Sequence, residues 1–255
     1  MAQALLFPLL ESGLVQRAAV RAAVASPASA ERLAAEHGLR VSTDPGEAWA
    51  APLVLLAVKP QQLEVAAAQA AQAAESHGQS RSMAPLLISV LAGVSLARLR
   101  RLFPGWRCVR AVPNTPCLVR QGLTGLAWGE EVNPEQRRRV RELFALVGAV
   151  HELPESQLDA FLALTSSGPA FVALVAEAMA DGAVAAGLPR ALAHELAHRT
   201  LAGTAALLHE RQLHPAVLKD MVSSPAGTTI AGLRQLERSG LRSALLEAEI
   251  GRAHV

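Results

Sequence analysis

The sequence contains no tyrosine, and only 3% of its 255 residues are aromatic. Alanine and leucine dominate instead, in a composition that is 51% hydrophobic. A core of such small aliphatic side chains favours closely packed helices over a sandwich rich in aromatic residues. With 51% hydrophobic and only 18% charged residues, the chain is too apolar to be intrinsically disordered. The length allows one large domain or two modest ones.

Cysteine is also scarce, and neither positive nor negative charge is in large excess. The two cysteines, Cys108 and Cys117, are too few for a disulfide framework and favour a reducing compartment, so we expect a cytoplasmic location. The formal charge is only +2, and the one dense basic run, at 137–141, lies beside acidic residues in a polar helix pattern. A solvated helix face explains this run better than nucleic-acid binding. We expect no nucleic-acid partner and no metal site.

Long apolar runs are missing as well. We find no run of the roughly 18 residues that a membrane-spanning helix needs, so no membrane association is expected. Residues 1–14 are apolar and amphipathic, without a basic segment or a clear cleavage site. They predict a core helix rather than a signal peptide.

Helix and strand patterns alternate through residues 1–154. The segment 52–58 (PLVLLAV) is apolar on both faces, which is typical of a parallel strand covered by helices. Strands separated by helices of this length predict an α/β fold with a doubly wound parallel sheet. The predicted strands are 18–25, 40–42, 52–58, 86–91 and 106–112, with 123–128 and 147–152 as later, antiparallel edge strands.

Only helices are predicted after residue 154, at 158–186, 190–210, 215–221 and 229–248. These helices are apolar around most of their circumference, and a helix of that kind must be buried. Too little chain remains to bury all of them. We therefore predict a second domain, 155–248, whose helices are covered by a second copy in a homodimer.

Two short segments lie at predicted strand ends. Residues 56–61 (LAVKPQ) follow the apolar strand, where ligands of open α/β sheets bind. A strand terminator with a solvent-exposed Lys59 would explain the same residues. In 109–116 (VRAVPNTP), two prolines hold Asn114 so that its amide could face the same crevice. An ordinary turn is the alternative.

Two further segments lie in the helical part. In 164–171 (LTSSGPAF), Gly168 and Pro169 should interrupt a helix, and the clustered hydroxyls could satisfy the freed backbone groups or bind a ligand. The segment 223–230 (SSPAGTTI) predicts a turn that opens the last helix. Its serine and threonine side chains could cap that helix. Its free N–H groups could instead bind a carboxylate.

Taken together, these four segments resemble those of pyrroline-5-carboxylate reductases, whose chains carry LAVKPQ, VRAMPNTP, LSGSGPAY and SPGGTTI in this order. The resemblance runs from Met1 to about Ala248. It implies a Rossmann-like doubly wound parallel sheet, with its first strand missing, followed by an all-helical dimerisation domain. It also implies a homodimer, with a decamer of five dimers as the larger assembly.

The resemblance implies the reduction of 1-pyrroline-5-carboxylate to L-proline by hydride transfer from NADPH or NADH, the last step of proline biosynthesis. The substrate would contact Ser167, Ser224, Gly227 and Thr228, and Thr229 would be the catalytic residue, with its hydroxyl against the ring nitrogen. The cofactor would lie against Ser26, Ala57, Val58, Lys59, Pro60, Ala92, Pro113 and Asn114. No carboxylate stands at the strand end beside Ser26 to repel a 2′-phosphate, which favours NADPH.

The sequence departs from the family at both ends and at two internal positions. The family's first strand and glycine-rich loop would precede Met1, so we expect the sequence to start late and to lack its pyrophosphate cradle. Residues 249–255 resemble a translated sequencing adapter and are expected to be an artefact. Ser166 and Ala226 replace family glycines, and each would add strain of roughly 1 kcal/mol if its φ were positive.

Two other interpretations stay open from the sequence. The chain could be a related imine or β-hydroxyacid-type NADP-dependent reductase, although such a relative would lack the turn 224–229. It could also be a catalytically impaired paralogue that acts as an oligomer partner.

Overall fold

A computed structural model of the chain describes residues 1–76 and 84–250. The chain forms two compact units, Met1–Ser166 and Ser167–Val255. The last five residues of the predicted artefactual tail, 251–255, lie outside the described residues, whereas Glu249 and Ile250 end a helix.

The first unit alternates helices with strands, as predicted. Its helices are α1 (Ala2–Glu11), α2 (Pro27–His37), α3 (Gly46–Trp49), α4 (Leu63–Ser76), α5 (Leu96–Leu102), α6 (Pro134–Ala145) and α7 (Leu158–Leu162). Its strands are β1 (Arg21–Ala23), β2 (Arg40–Ser42), β3 (Leu53–Leu56), β4 (Leu86–Ser89), β5 (Arg107–Pro113), β6 (Gly122–Trp128) and β7 (Gly148–Glu152). The strand predicted at 18–25 is shorter than expected, because Arg17–Ala19 form a 3₁₀ turn before it.

A five-stranded sheet in the order β3-β4-β5-β6-β7 forms the centre of this unit. Strands β3, β4 and β5 are parallel, and β6 runs antiparallel to β5. Strand β7 pairs with β6 in parallel, so both later strands oppose the first three. Strands β1 and β2 form a separate parallel pair.

The central strands β4 and β5 are buried on both faces because they are apolar on both faces. Cys108 and Val112 of β5 point into one hydrophobic cluster with residues of α4 and α5. Val109 and Ala111 point to the opposite cluster, which contains Phe144 of α6. This covering by helices leaves the ends of the strands as the accessible part of the sheet.

The second unit is entirely helical over the residues that the structure describes. It contains α8 (Gly168–Ala185), α9 (Arg190–Glu210), α10 (Pro215–Met221), α11 (Thr228–Arg238) and α12 (Leu241–Ile250). The long helix predicted at 229–248 is therefore wrong in one respect: it is two helices. Gly240 lies between them with φ +77°, a backbone conformation that ends a helix.

Small side chains form what core the second unit has. Helices α8 and α9 pack through Ala180, Ala193 and Ala197. Large apolar side chains remain exposed on every helix of the unit: Val172, Leu174, Met179, Leu192, Leu196, Leu207, Val217, Met221, Ile230, Leu236, Leu241, Leu245, Leu246 and Ile250. The predicted helices with apolar residues around most of their circumference are thus present. Within this single chain, many of those apolar side chains stay exposed.

One helical stretch, Glu155–Ala185, is long and apolar enough to cross a membrane, by length and composition only. The expectation that no apolar run reaches the roughly 18 residues of a membrane-spanning helix is therefore wrong. Only 17% of its most apolar part is buried. Core helices meet the same criterion, so the stretch is weak evidence for a membrane span.

Candidate functional site

Three neighbouring parallel strands end at one edge of the central sheet. Leu56, the last residue of β3, pairs with Ser89 at the end of β4. Ser89 in turn pairs with Arg110, three residues before the end of β5. The ends of these strands and the segments that follow them contain the predicted cofactor residues Ala57, Val58, Lys59, Pro60, Ala92, Pro113 and Asn114. The structure therefore brings them to the same carboxyl edge, where open α/β sheets bind ligands.

The residues that follow β3 and β4 are accessible at this edge. Val58, Lys59 and Ala92 are exposed, and Ala57 is half-buried. Pro60 begins a short 3₁₀ turn after β3, which continues into α4. Gly93 has φ +70°, a conformation that favours glycine and turns the chain sharply after β4. Small residues at strand ends let an extended ligand approach the backbone closely.

Ser26 lies beyond the end of β1 and is the N-cap of α2. Its Oγ accepts a hydrogen bond from the amide of Ser29 at 3.3 Å and donates to the Ser29 hydroxyl at 3.0 Å. The first turn of α2 contains no acidic residue. Two hydroxyls therefore lie at a helix N-terminus whose first turn carries no carboxylate.

Asn114 is buried, with only 5% of its surface exposed. Its Nδ2 donates to the carbonyl oxygen of Thr165 at 2.9 Å, and its Oδ1 accepts from the amide of Leu123 at 2.8 Å. The side chain thus connects the end of β5 to β6 and to the helical segment after α7, instead of extending into the crevice. Contact between Asn114 and a cofactor stays a prediction, which its backbone could satisfy.

Arg110 is a residue of this region that the sequence reasoning missed. It is 4% exposed, and its guanidinium forms ion pairs with Asp159 at 2.8 Å and Glu155 at 3.4 Å. Glu155 also accepts a hydrogen bond from the amide of Leu96 in the first turn of α5, at 2.6 Å. An arginine inside an apolar strand is a sequence signal that could have indicated such a buried pair.

The helix predicted at 158–186 is interrupted, as its glycine and proline indicate, but the interruption precedes them. Ala163–Ser167 form a π-helical segment, here called the π segment, and Pro169 lies in the first turn of α8, where proline is tolerated. The hydroxyl of Thr165 donates to the carbonyl oxygen of Phe161 at 2.7 Å. One of the clustered hydroxyls therefore bonds to the helix backbone, while Ser167, at the end of the segment, is 8% exposed.

The turn before α11 has the geometry of a type II turn. The amide of Gly227 donates to the carbonyl oxygen of Ser224 at 3.0 Å, with Pro225 and Ala226 as the two central residues. Ala226 has φ +56°, the conformation that such a turn requires at its third position and that favours glycine. Ala226 is thus strained as expected. Ser166 is not among the described residues with positive φ, so it carries no such strain.

The hydroxyls of this turn do not cap α11. The N-cap residue is Gly227, and in the described part of the chain no side chain bonds to the first-turn amides. Thr228 and Thr229 are the first two residues of the helix. A Cβ on Gly227 would lie 2.3 Å from the Ser224 Oγ, so that hydroxyl occupies the space that glycine leaves free. Amides and hydroxyls at this helix end can therefore bind an anion.

Neither cysteine can act as a nucleophile near neutral pH. Both are free and buried. Burial raises the pKa of Cys108 to about 12 and also raises the pKa of Cys117. A thiol held protonated in this way is inert. Among the described residues, no group of three or more histidine, cysteine, aspartate or glutamate side chains could hold a metal ion.

Two family models match the chain. The model described as pyrroline-5-carboxylate reductase dimerisation covers residues 155–252. The model described as NADP oxidoreductase, coenzyme F420-dependent, covers residues 1–93.

Relatives match over most of the length of the chain. A pyrroline-5-carboxylate reductase from Synechocystis sp. is 47% identical over 88% of this chain and 82% of its own. One from Methanosarcina acetivorans is 38% identical over 98% and 91%. The solved structure of a pyrroline-5-carboxylate reductase from Coxiella burnetii has a TM-score of 0.85 at 29% identity, over 99% of this chain and 92% of its own. A Plasmodium falciparum pyrroline carboxylate reductase with NADP bound shares the fold, with a TM-score of 0.84 at 24% identity over 98% of this chain and 91% of its own.

Proposed function

We propose that this chain, which belongs to the pyrroline-5-carboxylate reductase family, reduces 1-pyrroline-5-carboxylate to L-proline by hydride transfer from NADPH. The observation that carries the proposal is the turn from Ser224 to Gly227, which opens α11 without a side-chain cap. A helix end with free amides and nearby hydroxyls suits a small carboxylate. This reaction is the last step of proline biosynthesis.

The substrate carboxylate is bound by the turn and by the first residues of α11. The hydroxyl of Ser224 and the amides of Gly227 and Thr228 donate hydrogen bonds to it, and the helix dipole adds a favourable field. Ser167 contributes a hydroxyl at the end of the π segment. The turn itself, Ser224–Gly227, contains no lysine or arginine, so recognition there depends on neutral donors and favours a monocarboxylate.

Thr229 is the proposed catalytic residue. Its side chain is half-buried at the second position of α11 and takes no part in capping. When bound, a nicotinamide cofactor would supply a hydride to the imine carbon, which becomes electrophilic when the ring nitrogen is protonated. The Thr229 hydroxyl would hold this nitrogen by a hydrogen bond and relay a proton to it from solvent water. Because a threonine hydroxyl is a weak acid, most of the rate comes from positioning.

The carboxyl edge of β3, β4 and β5 would hold the cofactor. The residues that contact it are Ala57, Val58, Lys59, Pro60, Ala92, Pro113 and the backbone of Asn114. The hydroxyls of Ser26 and Ser29, at the N-terminus of α2, would bind a 2′-phosphate, which would favour NADPH over NADH as the hydride donor. The absence of acidic residues from the first turn of α2 supports this preference.

The protein forms a homodimer through its helical unit, and the dimers assemble into a decamer in the cytoplasm. The exposed apolar side chains of α8, α9, α11 and α12 support the dimer, because monomeric proteins rarely expose so much apolar surface on adjacent helices.

An assay of NADPH oxidation at 340 nm, with purified protein and 1-pyrroline-5-carboxylate, tests the proposal. We expect oxidation that depends on substrate, formation of proline, and a higher kcat/KM with NADPH than with NADH. Cyclic imines without a carboxylate provide the control and should be poor substrates, because they leave the turn and the α11 amides unpaired. Equal rates with and without the carboxylate would contradict the proposed role of the turn.

A further inference from the structure

The π segment is held by a hydrogen bond from a residue far away in the sequence. The carbonyl oxygen of Thr165 accepts from Asn114 Nδ2, and the two residues are 51 positions apart. Both are buried, with 5% and 6% of their surfaces exposed. The other end of the Asn114 carboxamide accepts from Leu123 in β6. Because both ends of the carboxamide are engaged, its orientation is fixed between the sheet and the helix.

A second contact from the same strand holds the helix upstream. Arg110, four residues before Asn114 on β5, forms ion pairs with Glu155 and Asp159 just before and within α7. The strand therefore contacts the helix near its start and again at Thr165. Because the chain is fixed at both contacts, an extra residue between them has to be accommodated within the helix. The π segment lies between the two contacts.

A π segment changes the direction of the side chains that follow it. An α-helix advances about 100° per residue, and a π turn accommodates one residue more than an α turn. If Ala163–Ser167 relaxed to α-helix, Ser166 and Ser167 would point about 100° away from their present directions. Thr165 also bonds to the helix through its hydroxyl, which donates to the carbonyl oxygen of Phe161.

We propose that Asn114 is a positioning residue: its carboxamide holds the π segment and thereby sets the direction of the Ser167 hydroxyl. The Asn114 side chain does not contact the cofactor. This inference rests on the proposed function, since Ser167 is one of the residues proposed to bind the substrate. It assigns the Asn114 side chain to the substrate half of the reaction, although Asn114 lies at the cofactor edge of the sheet.

The test is the substitution Asn114→Asp in the full chain. Aspartate keeps an oxygen for the amide of Leu123 but replaces the donor to Thr165 with a second oxygen, so the two facing oxygens repel each other. We expect amide hydrogen exchange in residues 163–168 to become about tenfold faster. We also expect kcat for the imine to fall about tenfold or more while KM for NADPH stays within about twofold, since a lost buried hydrogen bond is worth about a factor of ten.

Asn133→Asp is the matched control. Asn133 caps α6 through its Oδ1, which accepts from the amide of Gln136, and aspartate caps a helix equally well. Both the exchange and the kinetics of this variant should match the wild type. If Asn114→Asp does not fold, Asn114→Ser carries the same test, because serine is too short to reach Thr165 and introduces no charge.

Two results would overturn the inference: wild-type exchange in residues 163–168 of the variant, or a raised KM for NADPH with an unchanged kcat. The second result would show that Asn114 binds the cofactor through its side chain. The exchange measurement needs no substrate. A wild-type protein that does not reduce the imine would therefore contradict the proposed function, while the exchange comparison would still decide whether Asn114 holds the π segment.

Discussion

Ala226 occupies a backbone conformation that costs free energy for any residue with a Cβ. Its φ of +56° lies at the third position of the turn before α11. Replacing Ala226 with glycine removes strain of about 1–2 kcal/mol, offset by about 0.4–1 kcal/mol of added disorder in the unfolded chain. We therefore expect Ala226→Gly to raise the free energy of unfolding by about 0.5–1 kcal/mol, measured by urea denaturation.

Ser166→Gly is the control for this prediction, because the family has glycine at both positions. Ser166 lies in the π segment without a positive φ. Glycine there should lower the free energy of unfolding by about 0.5–1 kcal/mol, as it does inside helices. Stabilisation by both substitutions, or by neither, would show that backbone strain at Ala226 is not the cause.

The Thr229 hydroxyl gives a second prediction for a single residue. Thr229 is the second residue of α11, and Gly227 is the N-cap, so Thr229→Ala removes no cap. The melting temperature should not fall, since no cap is lost and alanine is a better helix former than threonine. Loss of a hydrogen bond to the imine nitrogen should lower kcat/KM by about ten- to a hundredfold.

Thr229→Ser should retain much of this activity, because serine keeps the oxygen and loses only a methyl group. Both quantities are measured on one preparation of each variant, with NADPH affinity as a third. A lowered melting temperature with unchanged kcat/KM would make Thr229 a structural residue and remove it from the proposed mechanism.

Among the secondary-structure elements, the pairing of β6 with β7 depends on two glycines. A Cβ on Gly148 would lie 1.9 Å from the carbonyl oxygen of Gly122, and Gly148 has φ +144°. Because backbone would have to move, Gly148→Ala should lower the free energy of unfolding by about 3 kcal/mol. Chemical denaturation measures this change.

Ala149→Val tests whether bulk alone has this effect, since Ala149 is exposed on the same strand. It should change the free energy of unfolding by less than about 0.5 kcal/mol. A similar loss for both variants would indicate that β7 tolerates no added volume, rather than that the two glycines must approach each other.

The sequence predicted elements wherever the local pattern was strong. The apolar run at 52–58 gave β3 and its place in a parallel sheet, and the alternation after it gave the neighbouring strands. The break at Gly240 was missed, although glycine after Ser239 is a helix-end signal. The interruption of the helix near Gly168 was predicted, but its π form was not, because the π segment involves a contact from Asn114, 51 residues away.

The residues of the candidate site show the same contrast: features set by a local pattern could be predicted, and features set by distant contacts could not. The strain at Ala226 could be predicted, because a turn with proline second and glycine third in the family implies a positive φ. The burial of the Asn114 carboxamide could not, since the pattern around it gives no partner. Arg110 was missed because one arginine within an apolar strand does not identify the carboxylates that pair with it.

At the scale of the whole molecule, the uncovered helices of the second unit predict self-association. Leu174 of α8 is 66% exposed in a helix whose only described charged residues are Glu177 and Asp181. If a second copy covers this helix, Leu174→Glu buries an unpaired carboxylate in the interface and should weaken the dimer at least about a hundredfold. Sedimentation velocity over a range of concentrations measures the change, and circular dichroism checks that the helices persist.

Val65→Glu, at a 52% exposed apolar residue of α4 in the first unit, should leave the dimer unchanged. A wild-type monomer at micromolar concentration would contradict the dimer itself, and equal weakening by both substitutions would contradict the assignment of the interface to α8.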